Sequence, residues 1–172
     1  MKMRKVILGA IFLAFFLTAP NNASGNYGEY ILGFNSGYTW GIKGIHAGVN
    51  LQCYFFSHWG VQLELHHQRR ADQFNPFTVY YLNVIYRVTD KKKEKFSWYI
   101  SAGVGMWGMD SSMLISKVGN GMKYSFSPHL SLHLGFSAWP FPLFIKSPYG
   151  FKLFPLGGAF WFSLHIGLEY GF

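Results

Sequence analysis

Cysteine is nearly absent: Cys53 stands alone in 172 residues. A secreted scaffold stapled by disulfides is therefore excluded, and Cys53 reads as a small apolar residue. Acidic residues are also few, seven against 15 lysines and arginines, and charged residues make up only 13% of the chain. A third absence is the most informative. Half of the residues are hydrophobic and 20% are aromatic, yet beyond residue 25 no uninterrupted apolar run approaches the roughly 20 residues of a membrane helix. The apolar content is dispersed by alternation instead.

The first 25 residues differ from the rest. Lys2, Arg4 and Lys5 precede an apolar stretch, Val6 to Ala19, and a small-residue site at Ala23-Ser24-Gly25. This is the layout of a cleaved signal peptide, too short for a spanning helix. It predicts a leader over residues 1–25 and one exported domain over 26–172. The +8 net charge prompts the question of nucleic acid, but three basic residues fall in the leader and Lys91, Lys92, Lys93 and Lys95 in one turn. Export further argues against DNA or RNA as partner. A lysine-rich turn reads as a solvated connection that discourages edge pairing.

The clearest alternation is in the last fourteen residues. Phe160, Phe162, Leu164, Ile166, Leu168, Tyr170 and Phe172 alternate with Trp161, Ser163, His165, Gly167, Glu169 and Gly171. In a strand, the two sets face opposite sides of a sheet. The same split recurs in seven earlier stretches, at residues 27–40, 45–55, 59–68, 80–88, 96–106, 117–126 and 130–138. Bulky aliphatic and aromatic residues occupy one parity, and glycines, amides, histidines and nearly all strand charges the other. Residues 69–76, 107–116 and 139–156 read as loops, the last holding four of the seven prolines.

Eight such strands suit an all-β, eight-stranded antiparallel up-and-down barrel. Its interior is only wide enough to be filled by side chains, and the Phe and Leu sets of eight strands cannot all fit inside. The apolar parity must then face outward, which is the polarity of a transmembrane β-barrel. A soluble lipocalin-like barrel has the opposite polarity.

The first strand YILGFNSGY, the hairpin GVNLQCYFFSHWGVQLELHH, the strand ISAGVGM, the hairpin VGNGMKYSFSPHLSLHLGF and the terminal Phe172 together resemble the small Gram-negative outer-membrane β-barrels: the transmembrane domain of outer membrane protein A, outer membrane protein X and the opacity proteins. The resemblance implies location in the cell outer membrane, with lipid and lipopolysaccharide as surroundings. It also implies assembly by the barrel-assembly machinery, with Tyr170 and Phe172 as the terminal signal. It does not extend to a periplasmic peptidoglycan-binding domain, so no cell-wall tether is expected.

Assigning the polar parity to the lumen gathers Glu29, Glu64 and Glu169 with Arg87, Lys117 and Lys123, and adds His46, His66, His133 and His165. Buried charges require partners, and the expected pairs are Glu64 with Arg87 and Glu169 with Lys123. Such a network either packs the lumen or forms the gate of a narrow porin-like channel. Lys43, Arg69, Arg70, Lys146 and Lys152 fall near the loop end as candidate contacts for lipopolysaccharide phosphates.

Catalytic readings are weak. Ser163, His165 and Glu169 share a face, but Ser163 and Glu169 lie about 20 Å apart along one strand at ~3.3 Å per residue, too far for a triad. His129 and Ser131 have a spacing that resembles the lipid A deacylase barrels, yet they sit at a short turn with no acid nearby. The four histidines read as hydrogen-bonded lumen side chains rather than a metal set. No cofactor motif is present. The expectation is a structural or surface-interaction protein without enzymatic activity, ahead of a gated channel and a lipid A-modifying enzyme.

Overall fold

The structure is a computed structural model and describes residues 28–40, 43–70, 77–89, 95–107, 113–140, 142–147, 150–152 and 161–172. The expected leader and the turn lysines Lys91, Lys92 and Lys93 lie outside the described residues.

Strand alternation, repeated along the chain, becomes a single antiparallel sheet. In chain order its strands are β1 (Glu29–Thr39), β2 (Gly44–Tyr54), β3 (Trp59–Arg70), β4 (Phe77–Arg87), β5 (Phe96–Trp107), β6 (Met113–Ser125), β7 (Leu130–Trp139), β8 (Pro142–Ser147), β9 (Gly150–Lys152) and β10 (Trp161–Gly171). Neighbours follow the order β5-β4-β3-β2-β1-β10-β7-β6, and β5 also pairs with β6. Those eight strands therefore close on themselves and leave no edge among them. Closure matters because a bilayer core offers no water to satisfy unpaired backbone groups.

Burial follows parity along the wall strands, apart from Cys53 of β2, which is buried on the outward parity. On β10, Phe162, Leu164, Ile166, Leu168 and Tyr170 are exposed, while Ser163, His165 and Glu169 are buried. The rule holds across the wall. Ile45, Leu82, Val84, Ile100 and Val104 point outward and exposed, whereas His46, Gln52, Glu64, Asn83, Lys117 and Lys123 are buried inside. Strands of 10 to 13 residues are long enough, when tilted, to cross a hydrocarbon core. An apolar exterior around a polar interior suits lipid outside.

The connections β2–β3 and β6–β7 are tight. Phe55 N donates to Trp59 O at 3.0 Å, and Phe126 N to Leu130 O at 2.9 Å. Both chain ends of the barrel lie at this same end, where Phe172 N donates to Tyr30 O at 3.0 Å and the two rings stack with centroids 6.4 Å apart. Trp59 with Tyr86 and Phe96 with Tyr124, each pair at 4.8 Å, continue an aromatic girdle of the kind that sits at a membrane interface. At the opposite end the β1–β2 connection is also short. Lys43 reverses it with φ 47°, in the left-handed region that side-chain-bearing residues seldom occupy.

Two expected loops are shorter than their sequence suggests. Residues 107–116 were expected as a loop, but β5 runs to Trp107 and β6 begins at Met113. The segment MLIS carries no clean alternation, yet twelve consecutive pairings with β5 hold it in the sheet. Likewise 139–156 contains the β8–β9 hairpin, which pairs with β6 at Met113, Leu114 and Ile115 through a register shift. Prolines there signalled a break in the ladder, and the break is a shift in register rather than an end to pairing. Arg69 and Arg70 belong to β3, extending that strand toward the loops.

Candidate functional site

The lumen gathers most of the residues that carry chemistry, and it is built in layers. At the turn end Arg87, from β4, reaches Glu29 of β1 at 2.9 Å, with its guanidinium 3.9 Å from the centre of the Tyr54 ring. This is the range of a cation–π contact. Ile31, Tyr54, Ile85 and Tyr99 pack together at this level as an apolar plug.

Above it lies the first buried ion pair. Lys123 of β6 stands 2.7 Å from Glu169 of β10 and donates to Gln52 Oε1 at 2.8 Å. Gln52 Nε2 in turn donates to Glu169 at 2.8 Å and to Asn50 Oδ1 at 2.9 Å. The Tyr99 hydroxyl is hydrogen-bonded to His133. These bonds join β2, β5, β6, β7 and β10 through side chains alone.

The second pair crosses the barrel from β6 to β3, where Lys117 meets Glu64. Glu64 also lies 3.1 Å from His66 Nε2 and accepts from Asn83 Nδ2 at 3.0 Å. Lys117 Nζ sits 4.8 Å from the centre of the Tyr81 ring. Nearer the loops, Val79, Tyr81, Ile115 and Trp139 form a second apolar plug, flanked by Phe77 and Trp161. A cavity there, lined by Thr39, Gln68, Trp139 and their neighbours, has a volume of about 10 Å³, close to what a single water needs.

Glycines on the inward parity make room for these rings. A Cβ on Gly135 would lie 2.7 Å from both the Tyr99 hydroxyl and His133 Nε2. One on Gly105 would lie 2.6 Å from Tyr81 Cε1. Small residues on the wall and large polar ones in the centre are two sides of the same packing.

The expected pair of Glu169 with Lys123 is present; the expected pair of Glu64 with Arg87 is not. Glu64 faces Tyr81 across the β3–β4 ladder, and Arg87 lies six residues further along β4, about 20 Å at ~3.3 Å per residue. Glu64 is paired with Lys117 instead, and Arg87 with Glu29. Sequence reasoning also gave no role to the amides Asn50, Gln52, Gln62 and Asn83, although all four stand on the inward parity that signalled the lysines and glutamates.

His66, His46, His165 and His133 form a row. Ring centroids are 5.0 Å apart from His66 to His46, 6.1 Å from His46 to His165 and 5.0 Å from His165 to His133. No cluster of three or more His, Cys, Asp or Glu suited to a metal ion occurs among the described residues.

Outside the lumen, Lys43 stands in the β1–β2 turn and Arg69 is exposed at the loop end of β3. The backbone places Arg70, Lys146 and Lys152 at that end too, on β3, β8 and β9. His129 stays at the turn end, its Nδ1 2.9 Å from Gly171 O, while Ser131 points inward and is buried. The two do not converge. Ser163, His165 and Glu169 are all inward on β10, but Glu169 is engaged by Lys123 and Gln52.

Comparison with solved structures turns on the same architecture. The N-terminal β-barrel domain of Pseudomonas aeruginosa OprF superposes with a TM-score of 0.63 over 85% of this chain and 98% of that one, at 13% identity. This chain has the fold of the small outer-membrane barrels. Neisserial surface protein A gives a TM-score of 0.53 over 85% of this chain and 96% of that one, at 14% identity. A de novo designed transmembrane β-barrel also matches, with a TM-score of 0.58, 15% identity and coverage of 86% and 98%. No family model and no curated protein matches the sequence. A designed barrel among the neighbours shows that this outer-membrane barrel fold specifies an architecture and not an activity.

Proposed function

We propose that this is an exported outer-membrane barrel with a structural or surface-interaction role, non-enzymatic, its lumen closed to solutes at neutral pH. The observation that carries this reading is the packed polar lumen. Three carboxylates each face a cation there, and an apolar plug lies at either end. A lumen organised for transport would keep a wet path open from one end to the other.

In this reading residues 1–25 are the cleaved leader and Tyr170 and Phe172 present the assembly signal. The chain-terminal end of the barrel faces the periplasm, following the placement of short turns in outer-membrane barrels. The loop end then faces outward, and Lys43, Arg69, Arg70, Lys146 and Lys152 meet the phosphates of lipopolysaccharide.

Two measurements test the proposal on protein refolded in detergent and then in lipid. Unheated protein should migrate differently in SDS from boiled protein, and at neutral pH planar bilayers should show no discrete conductance steps. Absence of a heat shift would reject the membrane barrel. Steady conductance at neutral pH would reject the closed lumen in favour of a narrow channel. Unchanged lipid A mass in cells expressing the protein is the third expectation; loss of an acyl chain would reject the non-enzymatic reading.

A further inference from the structure

The histidine row has an unusual place in the lumen. It links the two buried ion pairs: His66 at one end lies 3.1 Å from Glu64, and His133 at the other lies 3.6 Å from Glu169. All four imidazoles are buried. The inner two, His46 and His165, have no carboxylate at ion-pair distance among the described residues, and His46 Nδ1 is hydrogen-bonded with Thr39 Oγ1 at 3.2 Å. His46 Nε2, His66 Nδ1 and His165 Nδ1 have no hydrogen-bond partner among the described residues, although buried polar groups normally do.

Charge completes the picture. Among the described residues, Glu64 from β3, Glu169 from β10, Lys117 and Lys123 from β6, Tyr81 from β4 and Tyr99 from β5 lie around the row; Tyr54 of β2 packs beside Tyr99, and Glu29 of β1 with Arg87 of β4 lies further toward the turn end. Each carboxylate is already matched by a lysine. A proton on His46 or His165 is therefore unmatched positive charge between two lysines, in a site where an uncompensated charge is costly.

We propose that the histidine row is an acid-operated valve, in which proton uptake at His46 and His165 opens the lumen to small anions. Protons are taken up best by a hydrated lumen, so acid shifts the population toward it. The opened lumen carries an excess of positive charge, because its six other charged groups among the described residues, Glu29, Glu64, Glu169, Arg87, Lys117 and Lys123, balance. The inference rests on the reading of a membrane barrel closed at neutral pH.

The test is conductance across planar phosphatidylcholine bilayers under a potassium chloride gradient, from about pH 7.5 to about pH 5, spanning the ordinary imidazole value of about 6.5. Each proton taken up on opening changes the open-to-closed ratio by at most about tenfold per pH unit. The expected result is at least a ~tenfold rise in open probability, with a reversal potential of the sign set by chloride. His46→Gln and His165→Gln should each weaken the rise, the pair together should abolish it, and H67Q, on the outer face, should retain it in full. The single variants serve where the double one fails to fold. Three results would overturn the valve: no rise in a barrel that keeps its cold SDS mobility, a rise undiminished in both single inner variants, or cation selectivity. Loss of the heat shift at neutral pH would instead reject the membrane barrel on which the valve rests.

Discussion

Replacing Lys123 by Met keeps most of the side-chain volume and removes the charge. Its Nζ stands 2.7 Å from Glu169 and donates to Gln52 at 2.8 Å, and the Glu169 side chain is 1% exposed. At that distance the Coulomb attraction is of order 6 kcal/mol with an effective dielectric constant of about 20. The net effect is smaller, because the folded state also desolvates both charges. Removing one partner of a buried pair commonly costs about 3–5 kcal/mol. The remaining bond from Gln52 to Glu169 holds part of the carboxylate, so the expected loss is about 3 kcal/mol. Adding Glu169→Gln removes the stranded charge and keeps an acceptor for Gln52. The double variant should therefore recover to within about 1 kcal/mol of the parent. Reversible urea unfolding in lipid vesicles, followed by tryptophan emission and by cold SDS mobility, measures all four corners of the cycle. A loss below about 1 kcal/mol for Lys123→Met, or a double variant no more stable than the single, would refute the account of a tightly paired lumen.

Other expectations follow from the same geometry. Arg87→Gln should cost less than Lys123→Met, about 1 kcal/mol, because its partner Glu29 has a side chain 28% exposed and water can take over; the same urea assay compares them. Ile100→Arg, on the outer face where Ile100 is 52% exposed, should destabilise the vesicle-inserted barrel by about 2–4 kcal/mol, whereas in a water-soluble barrel it would be nearly neutral. Gly135→Ala should cost about 1–3 kcal/mol and lower the temperature at which cold SDS mobility is lost, since its methyl meets Tyr99 and His133.

How far the sequence can be read differs between the wall and the lumen. Wall strands declare themselves because side-chain period is a local property: Ile45, Ala47, Val49 and Leu51 alternate with His46, Gly48, Asn50 and Gln52 whatever the partner strand does. Lumen pairs depend on register and shear, which no single strand encodes. That is why Glu64 and Arg87, on neighbouring strands and of opposite charge, were expected to meet but sit in different layers. Lys117 finds Glu64 across the barrel from β6 to β3. Where alternation fails, as at Met113–Ser116, strand identity comes from the partner β5 and not from the segment itself.

The bonds of the lumen join residues far apart in the chain. Gln52 and Glu169 are separated by 117 positions, and Lys117 and Glu64 by 53. Ordering such contacts requires long loops of chain to close first, which slows folding. The consequence is temporal. Until β10 docks between β1 and β7, Lys123 has no carboxylate and β1 has an open edge, so an incomplete barrel is both unpaired in its backbone and unbalanced in its charge. The last strand to be made supplies the missing edge and the missing anion together, and with them the first moment at which the whole barrel is stable in lipid.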